Sequence, residues 1–237
     1  MSLSTALIAY HGCDVTTRDD LVSGRLKHLT HSNNQYDWLG PGAYFFEGDV
    51  ERALLFAQAS HQNPAKRYTA KPIATPAVVG AVLQVQRWLD MTTQAGIKEF
   101  SLAYQVFAAA QSADGKPVPT NSPASDTDAD VIYRALDNAV FTWLHLARAS
   151  QEPPRPAFQA VRAAFHQGEK VAPTSGFHVS THIQISLQDN NCVVGWFLPA
   201  GAKLLTDQQY DEAKAKLKDA QTANKKPRIR VKNETAP

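Results

Sequence analysis

Gly40-Pro41-Gly42-Ala43-Tyr44-Phe45-Phe46 is the stretch on which the fold turns. Two glycines around a proline force a tight turn, and the aromatic run that follows has strand character. Such a strand is too short to stand alone and must lean on something buried. Asp49 is a good N-cap for a helix from Val50 to about Ser60, with Ala53, Leu54, Ala57 and Phe56 inward. Upstream, residues 5 to 11 (TALIAYH) are short and apolar and read as a buried strand whose end carries Tyr10, His11 and Gly12. Asp19 to Lys27 predicts a short helix with Leu21 and Leu26 inward, and His28 to Trp38 a polar surface loop. Downstream, residues 77 to 89 (AVVGAVLQVQRWL) predict the clearest strand of the chain.

The middle reads as helical. Ile97, Phe100, Tyr104 and Phe107 form one stripe, and Ile132, Ala135, Ala139, Trp143 and Leu146 a second. Between them Ala113 to Asp128, with three prolines, predicts a mobile loop, and Gln151 to Pro156 a further break. A short helix is expected around Phe158 to Phe165. His178 to Leu187 then alternates, with His182, Gln184 and Ser186 on one strand face and Ile183, Ile185 and Leu187 on the other. Asp189-Asn190-Asn191 predicts a hairpin turn and Cys192 to Leu198 the returning partner strand. Thr206 and Gln209 make a capping box for a last helix, buried along Tyr210, Ala213 and Leu217. The order is that of an α+β fold, not an alternating doubly wound sheet. Residues 1–223 read as a single domain carrying a helical insertion at 92–176, followed by a tail at 224–237.

At 237 residues, 43% hydrophobic and 19% charged, the chain is long and apolar enough for a sizeable core, which excludes wholesale disorder, collagen and coiled coil. Its 24 Lys and Arg against 22 Asp and Glu are unevenly spread, because five of the basic residues fall in the last 13 positions. Without that end the body holds 19 basic and 21 acidic residues and carries no general footprint for duplex nucleic acid. The tail, KKPRIRVK, reads as a solvated end or as a contact for RNA or a partner protein. Two cysteines, Cys13 and Cys192, are too few for a disulfide framework, no run approaches a membrane span, and the N-terminus does not read as a signal peptide. A cytoplasmic protein with reduced thiols and no membrane partner is the economical reading.

No G-x-S-x-G elbow, phosphate-binding G-x-x-x-x-G-K loop, G-x-G-x-x-G or H-E-x-x-H is present. His28 and His31 have no further metal ligand at useful spacing, and no metal is expected. Cys13 shares a strand face with His11, but a thiol nucleophile there lacks an orienting acid. Three strand-borne segments remain: Tyr10-His11-Gly12, Gly40-Pro41-Gly42-Ala43-Tyr44-Phe45 and His182-Ile183-Gln184-Ile185.

In this order the three resemble the motifs of the ADP-ribosyltransferases of the poly(ADP-ribose) polymerase and diphtheria-toxin type. The first is similar to their early strand ending in His-Gly. The second resembles their G-x-G-x-Tyr-Phe segment, followed by an alanine-rich helix. The third resembles their last motif, in which a catalytic Glu opens an alternating strand and an Asp five residues on begins the turn, here Gln184 and Asp189. Pro76 to Asp90 further resembles a segment of bacterial and phage proteins associated with this fold. The matching pieces cover about a quarter of the chain, and 92–176 matches no motif of the family. The resemblance implies a split antiparallel β core and a mono-ADP-ribosyltransferase. It would cleave NAD and transfer ADP-ribose to a macromolecular acceptor, protein or nucleic acid, in a toxin or phage-defence setting that admits an antitoxin partner.

Breaking the bond between nicotinamide and ribose passes through an oxocarbenium-like sugar, so a site must hold the nicotinamide flat, fix the ribose and stabilise positive charge. By resemblance, His11 bonds the adenosine ribose, the Gly12 backbone grips the carboxamide and Tyr44 stacks on the nicotinamide. A second aromatic from the next helix completes the sandwich, for which Phe56 is the candidate and Leu55 the residue an ungapped alignment offers. Gln184 stands where the family has Glu. The amide keeps the acceptor for the ribose 2′-hydroxyl and loses the charge, a loss on the order of 2–4 kcal/mol by analogy with other preorganised groups. His182, two residues earlier, is either a base for the incoming nucleophile or a hydrogen-bonding residue of its own hairpin. The alternative from another class is a catalytically silent module that binds NAD or ADP-ribose.

Overall fold

The computed structural model describes residues 6–34, 37–63, 71–123 and 130–223. The basic tail therefore lies outside the described residues, as do positions 124–129 of the proline-containing loop. The fold is α+β, with a seven-stranded mixed sheet and five α-helices among the described residues.

The strand expected at the start is β1 (Ala6–Asp14), and the aromatic run after the Gly-Pro-Gly turn is β2 (Ala43–Glu47). Gly40 takes φ +76°, open to glycine at little cost, and so turns the chain into β2. Between the two strands lies helix α1 (Val15–Val22), which begins earlier than expected because the Asp14 carboxylate accepts from the Thr16 N–H at 3.0 Å and caps it there. Leu21 is buried on it, while Leu26 falls beyond its end and is exposed. Asp49 caps α2 (Val50–Gln62) as the sequence predicts, accepting from the Arg52 N–H at 2.8 Å. Ala53 and Ala57 are fully buried on it, whereas Leu54 faces out.

The run from 77 to 89 is not one strand. It breaks at 85–87 into β3 (Pro76–Gln84) and β4 (Trp88–Asp90), which lie in different parts of the sheet. Helices α3 (Gln94–Ala113) and α4 (Ala135–Ala149) follow. The predicted stripes hold in part: Phe107 is buried and Phe100, Ala139 and Trp143 pack on the core, but Ile97, Tyr104 and Leu146 are exposed, and Ala103 on α3 and Val140, Phe141 and Leu144 on α4 are buried instead. The segment expected as a short helix near Phe158 is instead β5 (Ala160–Phe165), so 92–176 is not wholly helical. Its alanines suit a helix, but Val161, Ala163 and Phe165 alternate into the core at the period of a strand.

β6 (His182–Leu187) lies between β2 and β5, antiparallel to both. With both its edges taken, it cannot accept the chain that follows as a hairpin partner. A 3₁₀ turn at Asn190–Cys192 instead carries the chain to β7 (Val193–Phe197), which pairs with β3 at the far edge. Helix α5 (Asp207–Ala223) starts at the expected capping box, in which Gln209 Oε1 accepts from the Thr206 N–H at 3.0 Å and Thr206 Oγ1 from the Gln209 N–H at 3.3 Å.

The strand order is β4-β5-β6-β2-β1-β3-β7. Every paired neighbour is antiparallel except β4 and β5 at one edge, so the sheet as a whole is mixed. Five spacings separate β4 from β3, about 24 Å in a flat sheet. The three linking residues reach about 14 Å at most. The sheet must therefore curl, bringing its two ends towards each other. Gln159 holds the crossing, its Oε1 accepting from the Gln86 and Arg87 N–H groups at 3.0 and 3.2 Å.

Apolar residues cover both faces. Ala9, Phe45, Val79, Leu83 and Ile185 build one cluster with Leu21 and Leu29. On the opposite face, α3 and α4 pack on Val161 and Phe165, and α2 packs where Phe46 meets Ala53 and Val78. No helix of the described residues is long and apolar enough to cross a membrane.

Candidate functional site

β1 and β2 pair at Ala9↔Glu47 and Tyr10↔Phe46 and then part. Beyond that point the His11 imidazole spans them: it bonds the Tyr44 carbonyl at 2.7 Å, which requires Nδ1 to carry the proton, and its ring lies 5.8 Å from that of Phe45. A cavity of about 480 Å³ opens where the strands separate, a size usual for small-molecule sites. Its walls come from both faces of the sheet, Cys13 and Phe45 on one and Tyr44, Phe46 and Gln184 on the other.

Five of the sequence-selected residues meet there: His11, Gly12, Tyr44, Phe56 and Gln184 all line the cavity. Burial pushes the pKa of His11 down, so its imidazole is neutral near pH 7 and Nε2 is an acceptor. Tyr44 is clasped by its own turn. Its hydroxyl donates to the Gly40 carbonyl at 2.6 Å and accepts from the Leu39 N–H at 2.9 Å. Burial raises its phenol well above the ordinary value, so the ring acts as a fixed aromatic wall. Gln184 sits opposite Phe46 across the β2–β6 ladder, and its side-chain amide has no hydrogen bond to the described residues. Phe56 stands at 5.9 Å from Phe46, while Leu55 is half exposed and does not line the cavity.

Gly12 has a packing reason of its own. A Cβ there would lie 2.2 Å from the Ala53 carbonyl, so glycine lets α2 close against β1 whatever the cavity holds.

His182 stands apart. It is buried, does not line the cavity, and bonds the Ser180 carbonyl through Nδ1 at 2.6 Å. Trp38, Phe46 and Phe165 surround it at 6.4, 5.2 and 5.8 Å between ring centres. Desolvation lowers its pKa to about 4, and Nε2 is buried without a hydrogen-bond partner among the described residues. Of its two expected roles, this arrangement matches local hydrogen bonding.

The thiol reading of Cys13 fails chemically, because burial foremost raises that group to about 12. Cys13 and Cys192 are both free and buried. No group of His, Cys, Asp or Glu among the described residues is arranged to hold a metal.

Two cavity residues escape the motif reading. Asp37 lies in the loop before the turn, and its carboxylate accepts from the Asn34 N–H at 2.8 Å. Arg52 lies four positions before Phe56, so both project from one face of α2, and this i, i+4 relation was the available signal.

No protein-family model, curated protein or solved structure matches the chain.

Proposed function

We propose that the protein is a mono-ADP-ribosyltransferase of the poly(ADP-ribose) polymerase and diphtheria-toxin type, taking NAD as substrate and a protein or nucleic acid as acceptor. The observation that carries this reading is the meeting of His11, Gly12, Tyr44, Phe56 and Gln184, drawn from three distant segments, around one cavity. The parting of β1 and β2 beside the cavity supports the same reading. In this reading the nicotinamide lies between Tyr44 and Phe56, with its carboxamide on the backbone of Gly12. Nε2 of His11 accepts from an adenosine ribose hydroxyl, and the free amide of Gln184 meets the 2′-hydroxyl of the nicotinamide ribose. The glycosidic bond breaks with its electron pair leaving on nicotinamide, and the acceptor's nucleophile then bonds the anomeric carbon and loses its proton.

A second reading, recognition of NAD or ADP-ribose without turnover, is favoured by Gln184 itself, since no carboxylate stands there to stabilise the sugar cation. Both readings require NAD binding. Melting of the full chain with and without millimolar NAD tests this: occupancy at about 100 times the dissociation constant adds about 2.7 kcal/mol. An unmoved melting temperature across that range contradicts both readings.

A further inference from the structure

Arg52 lines the same cavity and has no counter-ion among the described residues. It forms no ion pair among the described residues, although seven such pairs occur elsewhere, so its solitude is not a general habit of this chain. Nη2 donates to Gln167 Oε1 at 2.7 Å, and the guanidinium carbon lies 5.0 Å from the centre of the Phe46 ring. Nε is enclosed and has no acceptor. Asp49 supplies only a through-space attraction, outweighed by the desolvation that lowers the pKa of Arg52.

The carboxylates along the cavity do not answer this charge. Asp14 is spent on backbone amides, accepting from Thr16, Ala74 and Thr75 at 3.0, 2.9 and 2.9 Å. Asp37 is turned to Asn34. A half-buried guanidinium with one neutral partner among the described residues and an enclosed, unused Nε donor favours an anion, and its planar fork suits phosphate oxygens. Phe46 links the place to the candidate chemistry, because Arg52 lies over its ring and Gln184 is its cross-strand partner.

We propose that Arg52 anchors the diphosphate of a dinucleotide in this cavity, and so selects phosphorylated over uncharged nucleosides. The diphosphate assignment rests on the NAD reading above. The anion site itself rests on the unpaired guanidinium. Phosphate docked there sets the distance to the aromatic pair Tyr44 and Phe56, so Arg52 acts in binding and register and not in bond cleavage.

Calorimetric titration of the full chain with ADP-ribose, adenosine and inorganic pyrophosphate tests this, using wild type, Arg52→Met and Arg52→Lys. Methionine keeps an aliphatic contact with Phe46, and lysine keeps the charge if the methionine variant melts early. Wild type should bind ADP-ribose about tenfold or more tightly than adenosine, and Arg52→Met should erase that margin while leaving adenosine affinity within about twofold. Arg52→Lys should fall between. Equal loss for both nucleosides, or an unchanged margin in Arg52→Met, overturns the proposal. If wild type binds neither nucleoside, the NAD reading fails and pyrophosphate judges the anion site: binding that depends on Arg52 upholds it, and absence of binding overturns it.

Discussion

The His11 imidazole is tied to the backbone carbonyl of Tyr44 by a 2.7 Å hydrogen bond across the point where β1 and β2 separate. The bond fixes the ring's tautomer and orientation, and burial keeps it neutral, so Nε2 is left as an acceptor. The first two motifs are thereby coupled through one hydrogen bond rather than merely adjacent.

NAD affinity should accordingly depend on neutral His11. Burial holds the folded pKa below the ordinary 6.5, so the loss of affinity on acidification, as Nε2 becomes a donor, should have its midpoint below pH 6.5. His11→Leu should weaken binding by about tenfold and abolish that acid limb, read by calorimetry across the pH range. A wild-type midpoint above 6.5 contradicts the assigned state.

Stability should carry the mark of His182. Its pKa is lowered to about 4 in the fold, against 6.5 as the reference value. Between these values the unfolded chain binds a proton that the folded chain does not. The contribution is thus present above pH 6.5 and lost as pH falls towards 4, in total roughly 3 kcal/mol. Arg52 and Arg134 oppose the charged imidazole and Asp49 favours it. Urea unfolding of wild type and His182→Gln at pH 7 and pH 4.5 should show a smaller acid loss in the variant. Parallel losses would contradict the buried neutral state.

Tyr44→Phe separates the hydroxyl from the ring. Removing it leaves the Leu39 N–H without its acceptor and the Gly40 carbonyl with only the long 3.5 Å contact from Ser186 Oγ, at a cost of about 1–3 kcal/mol in unfolding free energy. NAD binding by the folded variant should change little, since the ring is the stacking element. A large loss of binding with unchanged stability would place the hydroxyl on the ligand instead.

Local signals were legible where a residue acts on its own neighbours. Asp49, the Thr206–Gln209 box and the glycine turn before Tyr44 each set an element boundary through backbone hydrogen bonds or dihedrals that the sequence encodes directly. Partnership was not legible. The return from β6 read as a hairpin because nothing local tells that β2 and β5 already occupy both its edges. β5 read as helix because its alanines favour one, and the break at 85–87 was hidden because Gln84-Val85-Gln86-Arg87 keeps the alternation of a strand. At the candidate site, the residues singled out by the family resemblance line one cavity except for His182, because strand alternation gives a face and not the aromatic wall that encloses the ring. Arg52 was missed since its meaning lies in the absence of a partner carboxylate.

Gln184→Glu restores the missing charge. In an active enzyme it should alter the transfer rate by a factor on the order of 30 or more, corresponding to about 2 kcal/mol or more of transition-state stabilisation. The check is the rate of nicotinamide release by wild type and variant at saturating NAD. Rates indistinguishable from buffer in both favour the binding module.

The most direct test is transfer of label from NAD radioactive in its adenylate to macromolecules of a whole-cell lysate, with purified wild type and Tyr44→Ala, followed by protease, RNase or DNase treatment of split samples. The account predicts macromolecular label with wild type, at least about tenfold less with folded Tyr44→Ala, and loss of label to one of the three treatments. No label from a wild-type protein that binds NAD, or label indifferent to Tyr44, would contradict it.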